Sequence, residues 1–141
     1  MFAGSIPPRI LLVEDHPLTL NALARLLQLH GYQVDAVATA AAALSAAASG
    51  DHAVVVSDIE LPDATGESLM RELRRRHGYT GVAITGHDGA ARRRSAAAAG
   101  FAEFFLKPIQ IEEFLKSVDD AAALHLTKHC RPLHADVNVA R

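Results

Sequence analysis

Glu14 and Asp15 follow the run Arg9-Ile-Leu-Leu-Val13, Asp58 follows Ala53-Val-Val-Val-Ser57, Thr85 closes the run that begins at Gly81, and Lys107 follows Phe101 to Leu106. Three carboxylates brought within a few ångströms of one another repel and raise one another's pKa unless a cation lies among them. A hard divalent ion with oxygen ligands is the natural remedy. Mg²⁺ (or Mn²⁺) suits such a set, because Mg²⁺ takes one or two carboxylates, several waters and a phosphate oxygen in preference to a full protein cage. A lysine ammonium and a threonine hydroxyl facing the same point are donors for a phosphoryl group, whose transfer depends on positioning and charge neutralisation. Asp58 is then the candidate nucleophile: a carboxylate is ionised at neutral pH and needs no general base to attack phosphorus. The product would be an acyl phosphate, a labile bond suited to a reversible signal. Taken singly, each residue also has a plain structural reading. Asp58 could merely end a strand, and Glu14-Asp15 could merely cap a helix.

The surrounding pattern shows what must position these groups. The runs before them read as buried strands. Leu20, Leu23, Leu26, Leu27 and His30 give one apolar helical face, with Pro17 tolerated in the first turn and Gly31 at the end. Tyr32 to Ala38 alternates as a strand, and Thr39 caps an alanine-rich helix closed by Ser49-Gly50. After Asp58, Pro62 interrupts and Asp63 to Gly66 is turn chemistry. Glu67 to His77 carries a helical stripe, Gly81 to Thr85 is a fourth strand, Ala90 to Ala99 a helix stopped by Gly100, and Phe101 to Leu106 a fifth strand. The stripe Ile111, Phe114, Leu115, Val118, Ala122 predicts a last helix to about Leu126. Five strands alternating with five helices specify an α/β, doubly wound, open parallel sheet. Its ligand site lies at the carboxyl ends of the strands. The second strand ends in a plain turn at Val37-Ala38-Thr39. The functional groups thus come from the strands that are central or beyond in the order 2-1-3-4-5.

Taken together, Glu14-Asp15 after ILLV, Asp58 in VVVSDIELPDATG, Thr85 in VAITG and Lys107-Pro108 in FFLKP resemble the response-regulator receiver domain of two-component signalling. The likeness covers about residues 9–124, and its finer features are most like receivers of hybrid histidine kinases. It implies a (βα)5 flavodoxin-like three-layer sandwich in which Asp58 takes a phosphoryl group from a phosphohistidine of a histidine kinase or histidine phosphotransfer protein. Asp15 and Asp58 would bind Mg²⁺ directly, Glu14 through water, and the Glu60 backbone carbonyl would add a ligand. Lys107 would contact the phosphoryl oxygen, and its bond to Pro108 would be cis. Thr85 and Phe104 would act as the switch, altering the surface around the fourth helix, fifth strand and fifth helix. Many receivers have Tyr at the position of Phe104, so the hydroxyl is lost here. Glu60 and His87 would tune phosphoryl lifetime by meeting the attacking water.

Length and charge bound the alternatives. The chain has 141 residues, a net charge of −2 and one cysteine, Cys130. One domain is expected at residues 9–126, with a flexible lead-in at 1–8 and a flexible tail at 127–141. No cationic field holds nucleic acid, no apolar run spans a membrane, and no secretory signal is read, so a cytoplasmic location is expected. The arginines at 71, 74, 75 and 76 and at 92–94 read as solvated faces, the second with some claim to a partner surface. A monomer or a weak phosphorylation-dependent dimer is expected, with a further protein as target. The expected module is not an enzyme beyond its own phosphorylation and dephosphorylation. The second reading is an aspartate-nucleophile phosphohydrolase resembling the haloacid-dehalogenase group, because Asp58-Ile59-Glu60 imitates that group's paired acids. That group, however, carries them after its first strand. A flavin-binding module lacks its phosphate loop, since Glu14 and Asp15 would repel the ligand.

Overall fold

The computed structural model describes residues 7–139; the lead-in expected at 1–8 falls largely outside the described residues. Strands and helices alternate along the chain as β1 (Arg9–Val13), α1 (Pro17–Leu29), β2 (Gln33–Val37), α2 (Ala40–Ser49), β3 (His52–Asp58), α3 (Gly66–His77), β4 (Thr80–Thr85), α4 (Ala90–Ala99), β5 (Phe101–Leu106) and α5 (Ile111–Val139). The five strands form one parallel sheet in the order β2-β1-β3-β4-β5. This is the expected doubly wound topology, with helices on both faces.

Strand periodicity divides the core in two, because successive side chains point to opposite faces. Leu11, Val13, Val55 and Ala83 face a cluster with Ala43, Leu69, Met70, Leu73 and Ala96 of α2, α3 and α4. Ile10, Leu12, Val54, Val56, Val82 and Ile84 face Leu23 and Leu27 of α1 and Phe114 and Val118 of α5. All seven residues of β3 are buried, as befits the central strand that ends in Asp58.

Local signals place the helix ends. Pro17 opens α1, and the N-cap is His16, whose Nδ1 accepts the Thr19 N–H. Capping of α1 therefore does not account for Glu14 and Asp15. Thr39 caps α2 and Thr65 caps α3, each hydroxyl accepting an N–H three residues on. α3 begins at Gly66, one residue before the expected start. A Cβ at Gly66 would collide with the Asp58 carbonyl oxygen. Only glycine lets α3 start this close to the end of β3, and that close start sets the path of the loop after Asp58. Gly100, at φ 118°, ends α4 in the left-handed region.

α5 runs as backbone helix to Val139, past the end expected near Leu126.

Candidate functional site

The carboxyl ends of β1, β3 and β5 bring the predicted residues together. Glu14, Asp15 and Asp58 each offer a carboxylate oxygen, and these atoms lie within 4.8 Å of one another. Glu14 is fully buried and Asp58 is 7% exposed, while Asp15 faces solvent. Lys107 reaches across from β5: its Nζ donates to Glu14 Oε1 at 2.7 Å and to Asp58 Oδ2 at 3.2 Å. The second Glu14 oxygen accepts the His16 N–H at 3.0 Å, so both oxygens of this carboxylate are engaged. Asp58 Oδ1 accepts only a long bond from the Glu60 N–H, 3.3 Å.

The electrostatics follow from this packing. Burial pushes the Asp58 carboxyl above its ordinary pKa, and the Glu14 charge pushes it further, against the pull of the Glu60 N–H and Lys107. Burial alone would lower Lys107, but the Glu14 and Asp58 carboxylates outweigh it and raise the ammonium above its ordinary value. The site is thus an acidic pocket with one cation, and the donor set, all carboxylate oxygen, fits a hard divalent ion.

Thr85 is buried at the end of β4. Its Oγ1 accepts the His87 N–H at 3.1 Å, and its carbonyl accepts the Lys107 N–H at 2.7 Å. The hydroxyl is thus turned to its own loop. The Lys107–Pro108 peptide is cis, as expected. Phe104 lies half-buried on β5 beside Ala83, two residues before Leu106, the register partner of Thr85.

The two residues expected to tune phosphoryl lifetime touch each other. His87 Nδ1 lies 3.1 Å from Glu60 Oε1, and Arg92 Nη2 lies 3.5 Å from Glu60 Oε2. This clasp joins the loop after β3 to the loop after β4 and the first turn of α4, over an open cleft of about 590 Å³ lined in part by Ile59, Thr65 and Ser95. Sequence reasoning treated the 92–94 run as a solvated or partner-facing stretch. Arg92 is instead paired with Glu60 in the loop after β3, and Arg93 with Asp88. Asp63, read only as turn chemistry, accepts the N–H groups of Ala40 and Ala41 at the start of α2. It sits just after Leu61-Pro62, in the turn closed by the Leu61 N–H to the Ala64 carbonyl.

A family model described as a response regulator receiver domain matches residues 10–119. The transcriptional regulatory protein TcrA of Mycobacterium tuberculosis is 39% identical over 106 residues, covering 74% of this chain and 42% of the relative. KdpE of the same species is 33% identical over 106 residues, covering 75% and 47%. The chain thus spans less than half the length of these curated relatives. Among solved structures, the non-phosphorylated HemR receiver domain of Leptospira biflexa matches with a TM-score of 0.74 and 31% identity, covering 82% of this chain and 94% of that one. A CheY-like receiver domain protein from Methanospirillum hungatei has a TM-score of 0.81 at 24% identity, covering 86% and 98%, a likeness of fold.

Proposed function

The chain belongs to the response regulator receiver domain family, and from that premise we propose that Asp58 accepts a phosphoryl group from a phosphohistidine on a histidine kinase or histidine phosphotransfer protein. The observation that carries this reading is Lys107 Nζ, 3.2 Å from Asp58 Oδ2, beside an acid cluster of Glu14, Asp15 and Asp58. An Asp58 oxygen attacks phosphorus in line, the P–N bond breaks, and the imidazole leaves with the bonding pair and takes up a proton. Asp58 is left as an acyl phosphate. Lys107, held by Glu14 and already beside Asp58, is placed to meet the new phosphoryl oxygens.

Asp15 and Asp58, with the Glu60 backbone carbonyl, would hold Mg²⁺ or Mn²⁺, with Glu14 acting through water. The ion would neutralise charge on the phosphoryl oxygens. Both Glu14 oxygens being engaged supports this division of labour. The phosphoryl group would bias a two-state equilibrium by drawing in Thr85 and Lys107, with Phe104 moving in response and the face of α4, β5 and α5 as readout. Glu60 and His87 would set the lifetime of the acyl phosphate. Among the described residues no helix is long and apolar enough to cross a membrane.

Intact-mass measurement after incubation with Mg²⁺ and a small acyl-phosphate donor tests the reading. One added phosphoryl group is expected, absent in Asp58→Asn and absent when the metal is chelated. Steady release of phosphate with no adduct would favour the phosphohydrolase reading instead.

A further inference from the structure

Arg92 and Arg93 are adjacent in the first turn of α4 and reach in different directions. Arg92 is tied to Glu60, as described. Arg93 turns towards β5, where its guanidinium carbon lies 4.6 Å from the centroid of the Phe104 ring. The guanidinium is itself aimed: Nε donates to Asp88 Oδ1 at 2.8 Å, and the same oxygen accepts the Gly89 N–H at 2.7 Å. An arginine held at one edge by a carboxylate can lay its planar face over an aromatic ring with little further loss of freedom. Phe104 has no hydroxyl with which to bind a neighbour. Its position on β5 is secured by packing beside Ala83 and by this cation.

We propose that Arg93 is a positioning residue for the conformational switch, its guanidinium holding Phe104 in the unphosphorylated arrangement until the ring slides out from under it. The proposal rests on the reading that Phe104 moves when Asp58 is modified. It goes further in naming what restrains the ring where a tyrosine hydroxyl is missing. Asp88 acts one step behind, by fixing the guanidinium. A cation over an aromatic ring at a part-exposed site is worth enough to shift a two-state equilibrium by about two- to fivefold. Loss of the cation should raise the switched population of the unmodified protein by that factor. The apparent affinity for a phosphoryl mimic should tighten equally, because binding no longer draws on so rare a state.

The test uses the full chain labelled with 4-fluorophenylalanine, with the Phe104 resonance assigned by its loss in Phe104→Leu, and beryllofluoride with Mg²⁺ as the mimic. Wild type should show the Phe104 resonance moving on addition of beryllofluoride. Arg93→Gln should start displaced towards that end point and bind beryllofluoride about two- to fivefold more tightly, while Arg93→Lys, which keeps a cation, falls between. The remaining fluorophenylalanine signals report that the variants are folded. If wild type moves but Arg93→Gln neither starts displaced nor binds more tightly, the proposal alone is overturned. Equal effects in Arg93→Lys and Arg93→Gln also overturn it, since charge is then not what holds the ring. If the wild-type resonance does not move at all, the switch reading falls and the proposal with it.

Discussion

Asp63 Oδ1 accepts the Ala40 N–H at 2.8 Å across 23 positions of sequence, and Asp63 Oδ2 accepts the Ala41 N–H at 2.9 Å. A residue of the loop after β3 thereby supplies acceptors for two free N–H groups at the start of α2, supplementing Thr39. The loop that carries Glu60 is pinned to a second helix as well as to α3.

Asp63→Ala should therefore lower the denaturation midpoint at unchanged denaturant slope and weaken Mg²⁺ binding, by loosening the loop that bears the Glu60 carbonyl. The pH dependence has a definite sign. The Ala40 and Ala41 N–H groups hold the Asp63 carboxyl below its ordinary value of 3.8. Its contribution is fully present above that value and is lost as pH falls through the lower folded value. Urea unfolding as a function of pH should show a shallower acid limb in Asp63→Asn than in wild type.

Lys107→Met removes the only ammonium that faces the fully buried Glu14 among the described residues. Breaking a fully buried pair costs ~3–5 kcal/mol, and with the Lys107 side chain 26% exposed the expected loss is nearer ~2 kcal/mol. Glu14→Gln in the same chain should recover part of it, because the uncompensated charge is then gone. Lys107 has its pKa raised above 10.5, so its stabilisation is complete below that value and disappears as pH rises through the higher folded value. Thermal denaturation of the two single variants and the double variant checks the coupling; simple additivity would contradict it.

The clasp on Glu60 predicts non-additive kinetics. Arg92→Gln should change the half-life of the Asp58 acyl phosphate, by up to about fivefold for an ion pair this exposed. The same substitution should have little effect when Glu60 is already Gln. Following loss of the phosphoryl group by mass in the four members of the cycle decides the matter. Equal effects of Arg92→Gln in both backgrounds would mean that Arg92 acts elsewhere. Added salt should shrink the coupling, since all three side chains are partly open to solvent.

His52 supplies a control for stability without function. Its ring is fully buried at the start of β3, with Nε2 2.7 Å from Asp35 Oδ2 and Nδ1 3.3 Å from the Tyr79 hydroxyl, and Arg9 closes on the same carboxylate at 2.9 Å. Burial raises the Asp35 carboxyl, but His52 and Arg9 outweigh it and hold it below 3.8. Six residues of strand, or about 20 Å, separate His52 from Asp58. His52→Leu should cost ~1–3 kcal/mol by stranding polar partners and leave the rate and yield of phosphorylation at Asp58 unchanged below the unfolding transition.

Much of the fold and the site was legible because it rests on local rules. The apolar runs ending in Asp58, Thr85 and Lys107, the Thr39 cap and the Gly100 stop each act within a few residues, and the sheet order follows from the alternation of strands and helices. What escaped notice was tertiary. The Asp63 tie to α2, the Arg92 reach to Glu60 and the Arg93 cover of Phe104 join residues whose spacing carries no period. His16 took the cap that Asp15 suits equally well by type. The extension of α5 escaped because the sequence after Leu126 carries no apolar period to signal a helix. The likeness to hybrid-kinase receivers was finer than the relatives named above bear on, both being transcriptional regulatory proteins.

Lys107 joins β5 to Glu14 of β1, strands with two others between them in the sheet. The acids of the pocket are laid down by β1 and β3, early in the chain, whereas the ammonium arrives with the last strand. Without the residue that follows β5, the Glu14 and Asp58 carboxylates would lose the ammonium they share. Closure of the sheet and charge balance in the pocket are therefore one event, since the ammonium that faces both carboxylates comes with the last strand.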